Sequence, residues 1–142
     1  MKTSTFKNEI KRHLFILMTL FAVSAIFVSC TEEEEVTEEG ILGSYEGGSE
    51  ESDHIEIYIS KSGSGYSFSC EYENWEGIRA SVETEKHEWT GKFENIPSDV
   101  VKDNQGNKIG TISFRQYSEY TEVTFRAETI RPGTYSAKKM MY

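Results

Sequence analysis

Residues 40–142 predict an all-β domain: a small antiparallel meander of about eight strands, closed into a barrel or folded as a sandwich. Three observations carry this expectation. Apolar residues recur at every second position in successive runs, as in Ile55, Ile57, Ile59 and again in Val123, Phe125, Ala127, which is the period of a strand with one buried face. The runs are short and are punctuated by Gly, Asn, Asp and Pro, the residues that supply tight turns. No stretch of ten or more residues in this part of the chain carries an apolar period of 3.6. Closure into a barrel would also remove exposed strand edges.

Taken in order, the chain opens with a basic head, Lys2, Lys7, Lys11 and Arg12, followed by the apolar run Leu14 to Ser29, which ends in small residues. This is the layout of a secretory signal, and the run is shorter than the ~20 residues a spanning helix needs. The motif Phe27-Val28-Ser29-Cys30 resembles a lipobox, with Phe27 where Leu is usual. That resemblance implies cleavage before Cys30 and lipid attachment to its sulfur; an ordinary signal peptide with an incidental cysteine is the alternative. Directly after it, Thr31 and the run Glu32 to Glu35, then Glu38 and Glu39, resemble the export signal that sends lipoproteins of the Bacteroidota to the outer face of the outer membrane. The implied location is the outer membrane, lipid-anchored, at the cell surface. Read from residues alone, 30–39 is a solvated acidic tether, because like charges repel and extend a chain. Two or more acyl chains hold a protein stably on a bilayer where one does so only marginally.

Composition bounds the rest. Residues 40–142 hold 11 Lys and Arg against 17 Asp and Glu, a net charge of −6 without a basic cluster. Nucleic-acid affinity comes mainly from neutralising phosphates, so a nucleic-acid partner is excluded as a reading. About 100 residues make one domain with one core. With Cys30 assigned to lipid, Cys70 has no disulfide partner, and its place in the alternation of Tyr66, Phe68, Cys70 and Tyr72 makes it a small core residue.

The expected strands follow one another. Gly40 to Gly48 is a short first strand, and 49–53 is a polar linker. His54 to Ser60 presents its isoleucines inward, and 61–65 turns the chain into Tyr66 to Tyr72. Ile78, Ala80 and Val82 alternate in a further strand, although a helical turn also fits 78–87. Trp89, Gly91 and Phe93 share a face before Pro97. Val100 to Lys102, the turn 103–107 and Lys108 to Tyr117 form a hairpin with Ile112 and Phe114 inward, its Asn and Gly residues supplying positive φ. Thr121 to Glu128 alternates cleanly, and Arg131-Pro132-Gly133 leads into Thr134 to Lys139.

The opening Gly43-Ser44-Tyr45, a Gly-x-aromatic element ahead of a run of hairpins, is similar to the calycin or lipocalin-like barrels of small bacterial lipoproteins, which have Trp where this chain has Tyr45. The resemblance implies a barrel that holds one apolar or amphipathic ligand, lined here by Tyr66, Phe68, Trp89, Phe93, Phe114 and Phe125. The same six rings also suffice for a plain hydrophobic core that fills the lumen.

No catalytic, metal or cofactor constellation stands out. His54 and His87 are far apart in sequence, Asp53, Glu56 and Glu88 are ordinary carboxylates beside them, and a zinc site wants three or four ligands at supporting spacing. The run 103–107 has the wrong register for a calcium loop. The expectation is a noncatalytic binding module. The alternative is an interaction protein, such as an accessory subunit, an inhibitor or a glycan-binding module, that uses an acidic face and the rings Tyr58, Trp75, Tyr117 and Tyr120.

Overall fold

The computed structural model describes residues 32–49, 52–74 and 85–141, all within a compact unit that spans Glu32–Tyr142. The signal segment, Cys30, Trp75 and the strand expected over Ile78 to Val82 lie outside the described residues. Nine strands and one helical turn follow in order: β1 (Glu33–Glu34), α1 (Glu38–Ile41), β2 (Gly43–Ser49), β3 (Asp53–Ser62), β4 (Gly65–Asn74), β5 (Glu85–Phe93), β6 (Ser98–Lys102), β7 (Lys108–Tyr117), β8 (Tyr120–Ala127) and β9 (Gly133–Met140).

Each strand from β2 to β9 pairs antiparallel with the next, and β9 returns to β2, so eight strands close into an up-and-down barrel with β1 added along β7. The fold is therefore the meander barrel, consistent with a calycin-like layout, and not two open sheets. Its pairing is uneven. β3 and β4 are in register over their full length, from Asp53 opposite Asn74 to Ser62 opposite Gly65. The closures β5–β6 and β2–β9 each rest on one registered pair, Lys92 with Lys102 and Glu46 with Lys138. The β2–β9 seam is nevertheless tight, because a Cβ on Gly47 would collide with the carbonyl of Ser136. Glycine is what lets the two backbones meet there.

The alternation read from the sequence sorts the side chains as expected. Ile55, Ile57, Ile59, Tyr66, Phe68, Cys70, Tyr72, Trp89, Phe93, Ile112, Phe114, Val123, Phe125 and Ala127 are buried in one core, and Tyr45, Tyr135 and Ala137, not placed by the sequence alone, join them. At the hairpin 103–107 the expected source of positive φ is corrected: Gly106 adopts it at 84°, and the asparagines do not. The turn is held instead by the Asp103 carboxylate, which accepts from the backbone N–H of Gln105 and Asn107 at 2.9 Å each.

The start of the domain also differs from expectation. The strand expected over Gly40 to Gly48 begins at Gly43, as β2, and β1 and α1 come before it. Glu33 pairs opposite Tyr117 and Glu34 opposite Gln116. Thr37 then caps α1, its hydroxyl accepting from Gly40 N–H at 3.0 Å, and Glu38 and Glu39 sit in the first turn, where the helix dipole favours acids. Ile41 is wholly buried, and the Tyr45 hydroxyl donates to its carbonyl at 2.6 Å. Of the stretch that reads as a tether in sequence, residues 33–38 are docked on the barrel, because Val36 and then Ile41 have a core to join.

Candidate functional site

The six rings expected to line a ligand cavity all point inward, and each is 5% exposed or less. They meet one another. Near the α1 end, Tyr66 stacks on Phe93 at 5.0 Å and Phe93 meets Phe114 at 5.7 Å between centroids. Farther along the lumen, Phe68 meets Phe125 at 4.6 Å and Phe125 meets Trp89 at 5.8 Å. Tyr135, absent from the sequence reading of the lumen, completes this second group at 4.8 Å from Trp89 and 5.2 Å from Tyr72. Contacts such as Phe68–Phe125 run across the barrel, which is what a filled eight-stranded lumen requires.

The polar tips of these rings are also engaged. Trp89 Nε1 donates to the Thr129 carbonyl at 2.9 Å, and the Tyr135 hydroxyl donates to the Arg131 carbonyl at 2.9 Å. The Tyr66 hydroxyl donates to Glu38 at 2.9 Å. Among the described residues, no buried side-chain nitrogen or oxygen lacks a partner. The lumen thus has the chemistry of a satisfied core.

The groups considered for catalysis or metal binding do not converge. His54 lies on the outward-facing set of β3 and His87 on the inward-facing set of β5, with β4 between them. His87 Nε2 instead lies 2.7 Å from Glu85. Among the described residues no three His, Cys, Asp or Glu side chains gather as metal ligands. Cys70 is 2% exposed, and burial, with a smaller contribution from the Glu71 carboxylate, pushes its thiol up to about 12. A thiol held protonated is a poor nucleophile.

The outer wall carries a feature that only the strand register reveals. Glu46 of β2 lies opposite Glu56 of β3, Glu56 opposite Glu71 of β4, and Glu71 opposite Glu88 of β5. Four glutamates therefore form one continuous rung across four neighbouring strands. Like charges directly opposite one another destabilise a sheet. Lys86 relieves one end, with Nζ at 2.8 Å from Glu71, 3.3 Å from Glu88 and 3.9 Å from Glu73. Glu56, flanked by carboxylates on both sides, has no salt bridge among the described residues. Beside the rung lies a shallow groove of about 300 Å³ lined by Glu56, Tyr58, Ser69, Glu71, Glu88 and Thr90. Tyr58 stands 50% exposed in it.

Of the other rings expected on the surface, Tyr117 and Tyr120 pack on each other at 4.7 Å, and Lys138 Nζ lies 4.3 Å over the Tyr120 ring. Tyr58 and this pair occupy separate places, one beside the glutamate rung and one at the α1 end. The glutamate rung escaped the sequence reading because its members are ten to seventeen positions apart. The alternation did place Glu56 outward, but only pairing aligns it with Glu46 and Glu71.

Among the described residues no helix is long and apolar enough to cross a membrane. Comparison with known proteins gives no family model that matches the chain and no similar curated protein or solved structure.

Proposed function

We propose that the chain is a lipoprotein anchored through Cys30 at the outer membrane and displayed on the cell surface, and that its barrel is a noncatalytic binding module. Recognition in this reading uses the acidic outer wall of β2–β5, with Tyr58 as its aromatic contact, against a cationic protein partner. The observation that carries it is the rung Glu46, Glu56, Glu71 and Glu88, which presents a carboxylate on each of four strands and, beyond the reach of Lys86, leaves Glu56 with like charge on both sides, an arrangement that disfavours the folded sheet. A basic partner would relieve that repulsion on binding, and charge complementarity of this kind raises association rate and specificity. The separation of His54 from His87 and the raised pKa of Cys70 fit a module without chemistry of its own.

A small apolar ligand within the lumen, lined by Tyr66, Phe68, Trp89, Phe93, Phe114 and Phe125, would require ring pairs 4.6 to 5.8 Å apart to separate. That makes the wall the better supported surface.

The test titrates residues 32–142 with a lysine-rich peptide by calorimetry at low and high salt. Binding that weakens with salt, is lost in Glu56→Lys with Glu71→Lys, and survives Glu122→Lys on the opposite wall supports the proposal. Equal loss from either wall reduces it to general acidity. A native mass excess on the same protein that disappears on denaturation would return the site to the lumen.

A further inference from the structure

We infer that the anchored barrel sits with its α1 end against the bilayer, and that Tyr117, Tyr120 and Met140 are the side chains that meet the lipid surface. This rests on the reading of Cys30 as the lipid-bearing residue.

The path of the chain sets the geometry. Glu33 is already paired opposite Tyr117, Val36 packs against the core, and the backbone N–H of Thr37 donates to Gln116 Oε1 at 3.0 Å. Glu38 is held by Lys61 at 2.6 Å and by the Tyr66 hydroxyl. The acidic stretch is therefore spent along the barrel wall and leaves little free length. From Cys30 to Glu33 there are three peptide steps, about 11 Å at full extension. A lipidated Cys30 lies at the headgroups, so the chain cannot hold Glu33, paired beside Tyr117 at the rim, farther away than that.

What stands at this rim suits a lipid interface. Tyr117 and Tyr120 are half-buried, packed on each other, and oriented to the outer side of β7 and β8. Met140 pairs opposite Tyr120 and is 55% exposed, and Lys138 caps the Tyr120 ring. Amphipathic rings with a polar tip, an apolar thioether and a long-stemmed cation are the side chains that settle at headgroup depth. Glu32 to Glu35 and Glu119 share this end, so the patch would not draw the protein to an anionic membrane. The acyl chains supply the affinity and the patch supplies the orientation. Ile130, which is also exposed, lies in the loop before β9 at the other end of the barrel and would face away from the membrane.

The experiment uses the full lipoprotein reconstituted in phosphatidylcholine vesicles, with the acylation state of Cys30 read by mass spectrometry. An environment-sensitive fluorophore is placed at Ser118→Cys, in the turn between the two tyrosines, or at Ile130→Cys, and quenched by nitroxide-bearing lipid. The expected result is quenching several-fold stronger at 118 than at 130, with the difference between the two positions narrowing when Tyr117, Tyr120 and Met140 are all changed to Ser and the barrel is free to tilt about its short tether. Equal quenching at both positions in the acylated protein overturns the orientation. Quenching at 118 that is unaffected by the three serines overturns the role of those residues. A Cys30 without acyl chains overturns the anchor reading and this inference with it.

Discussion

Around one rung of the barrel the two walls carry opposite charge patterns. On β7, β8 and β9, Arg115 lies opposite Glu122 and Glu122 opposite Lys138, so the signs alternate from strand to strand. The same rung crosses the seam from Lys138 to Glu46 and then continues through Glu56, Glu71 and Glu88 without a change of sign. Both walls are antiparallel sheet with one face on the common core. Cross-strand attraction accounts for the first pattern; in the second, Lys86 offsets the repulsion at Glu71 and Glu88 while Glu56 keeps a carboxylate on both sides, and that is the feature the proposed recognition of a cationic partner would use.

The most severe way to break the comparison is to remove what the walls share. Phe125 contacts Phe68 and Trp89 from across the lumen, and Phe125→Ala should cost about 3–5 kcal/mol by denaturant titration, with both walls unfolding together. A loss below about 1 kcal/mol would mean that the lumen tolerates a void and would favour an internal ligand. Next in size is the clamp at the α1 end: Tyr45→Phe leaves the Ile41 carbonyl without its buried donor and should cost about 1–3 kcal/mol.

The charges themselves come third. Glu56→Lys restores alternation between Glu46 and Glu71 and should stabilise the barrel by about 0.2–1 kcal/mol, while Glu122→Lys, placed between Arg115 and Lys138, should destabilise it by a similar amount. In 1 M salt, where screening acts over about 3 Å, the two effects should converge towards zero. If both substitutions destabilise equally, the walls do not differ electrostatically. If Glu56→Lys both stabilises the protein and abolishes binding of the lysine-rich peptide, the rung is retained for recognition.

The smallest expected effect is local and depends on pH. The Lys61 ammonium and the Tyr66 hydroxyl hold the Glu38 carboxyl below its usual range. Because its folded pKa is depressed, its contribution is present above the ordinary glutamate value of about 4.3 and is lost as pH falls through the lowered folded value. Acid titration followed by amide exchange at α1 should show that end loosening in this window before the barrel unfolds. Glu38→Gln should remove the step, and a step that persists would assign it elsewhere.

How much of this was legible in the sequence follows from the range of the interactions. Period-2 alternation and turn chemistry are local, so the all-β class, the inward set from Tyr66 to Phe125, the buried Cys70 and the hairpin at 103–107 could be read from neighbouring residues. α1 left only the faint trace of Thr37 followed by Glu38 and Glu39, too short a run for apolar periodicity to register. Lipid attachment at Cys30 and surface export are expectations of the sequence alone. Three features belong to the tertiary structure: closure into a barrel through the single pairs Lys92–Lys102 and Glu46–Lys138, a lumen filled by rings that meet from opposite sides, and the alignment of four glutamates in one rung. The physical reason is the same in each case. Which face a side chain takes is set by its own strand, whereas what it meets on that face is set by the register and closure of strands far away in sequence.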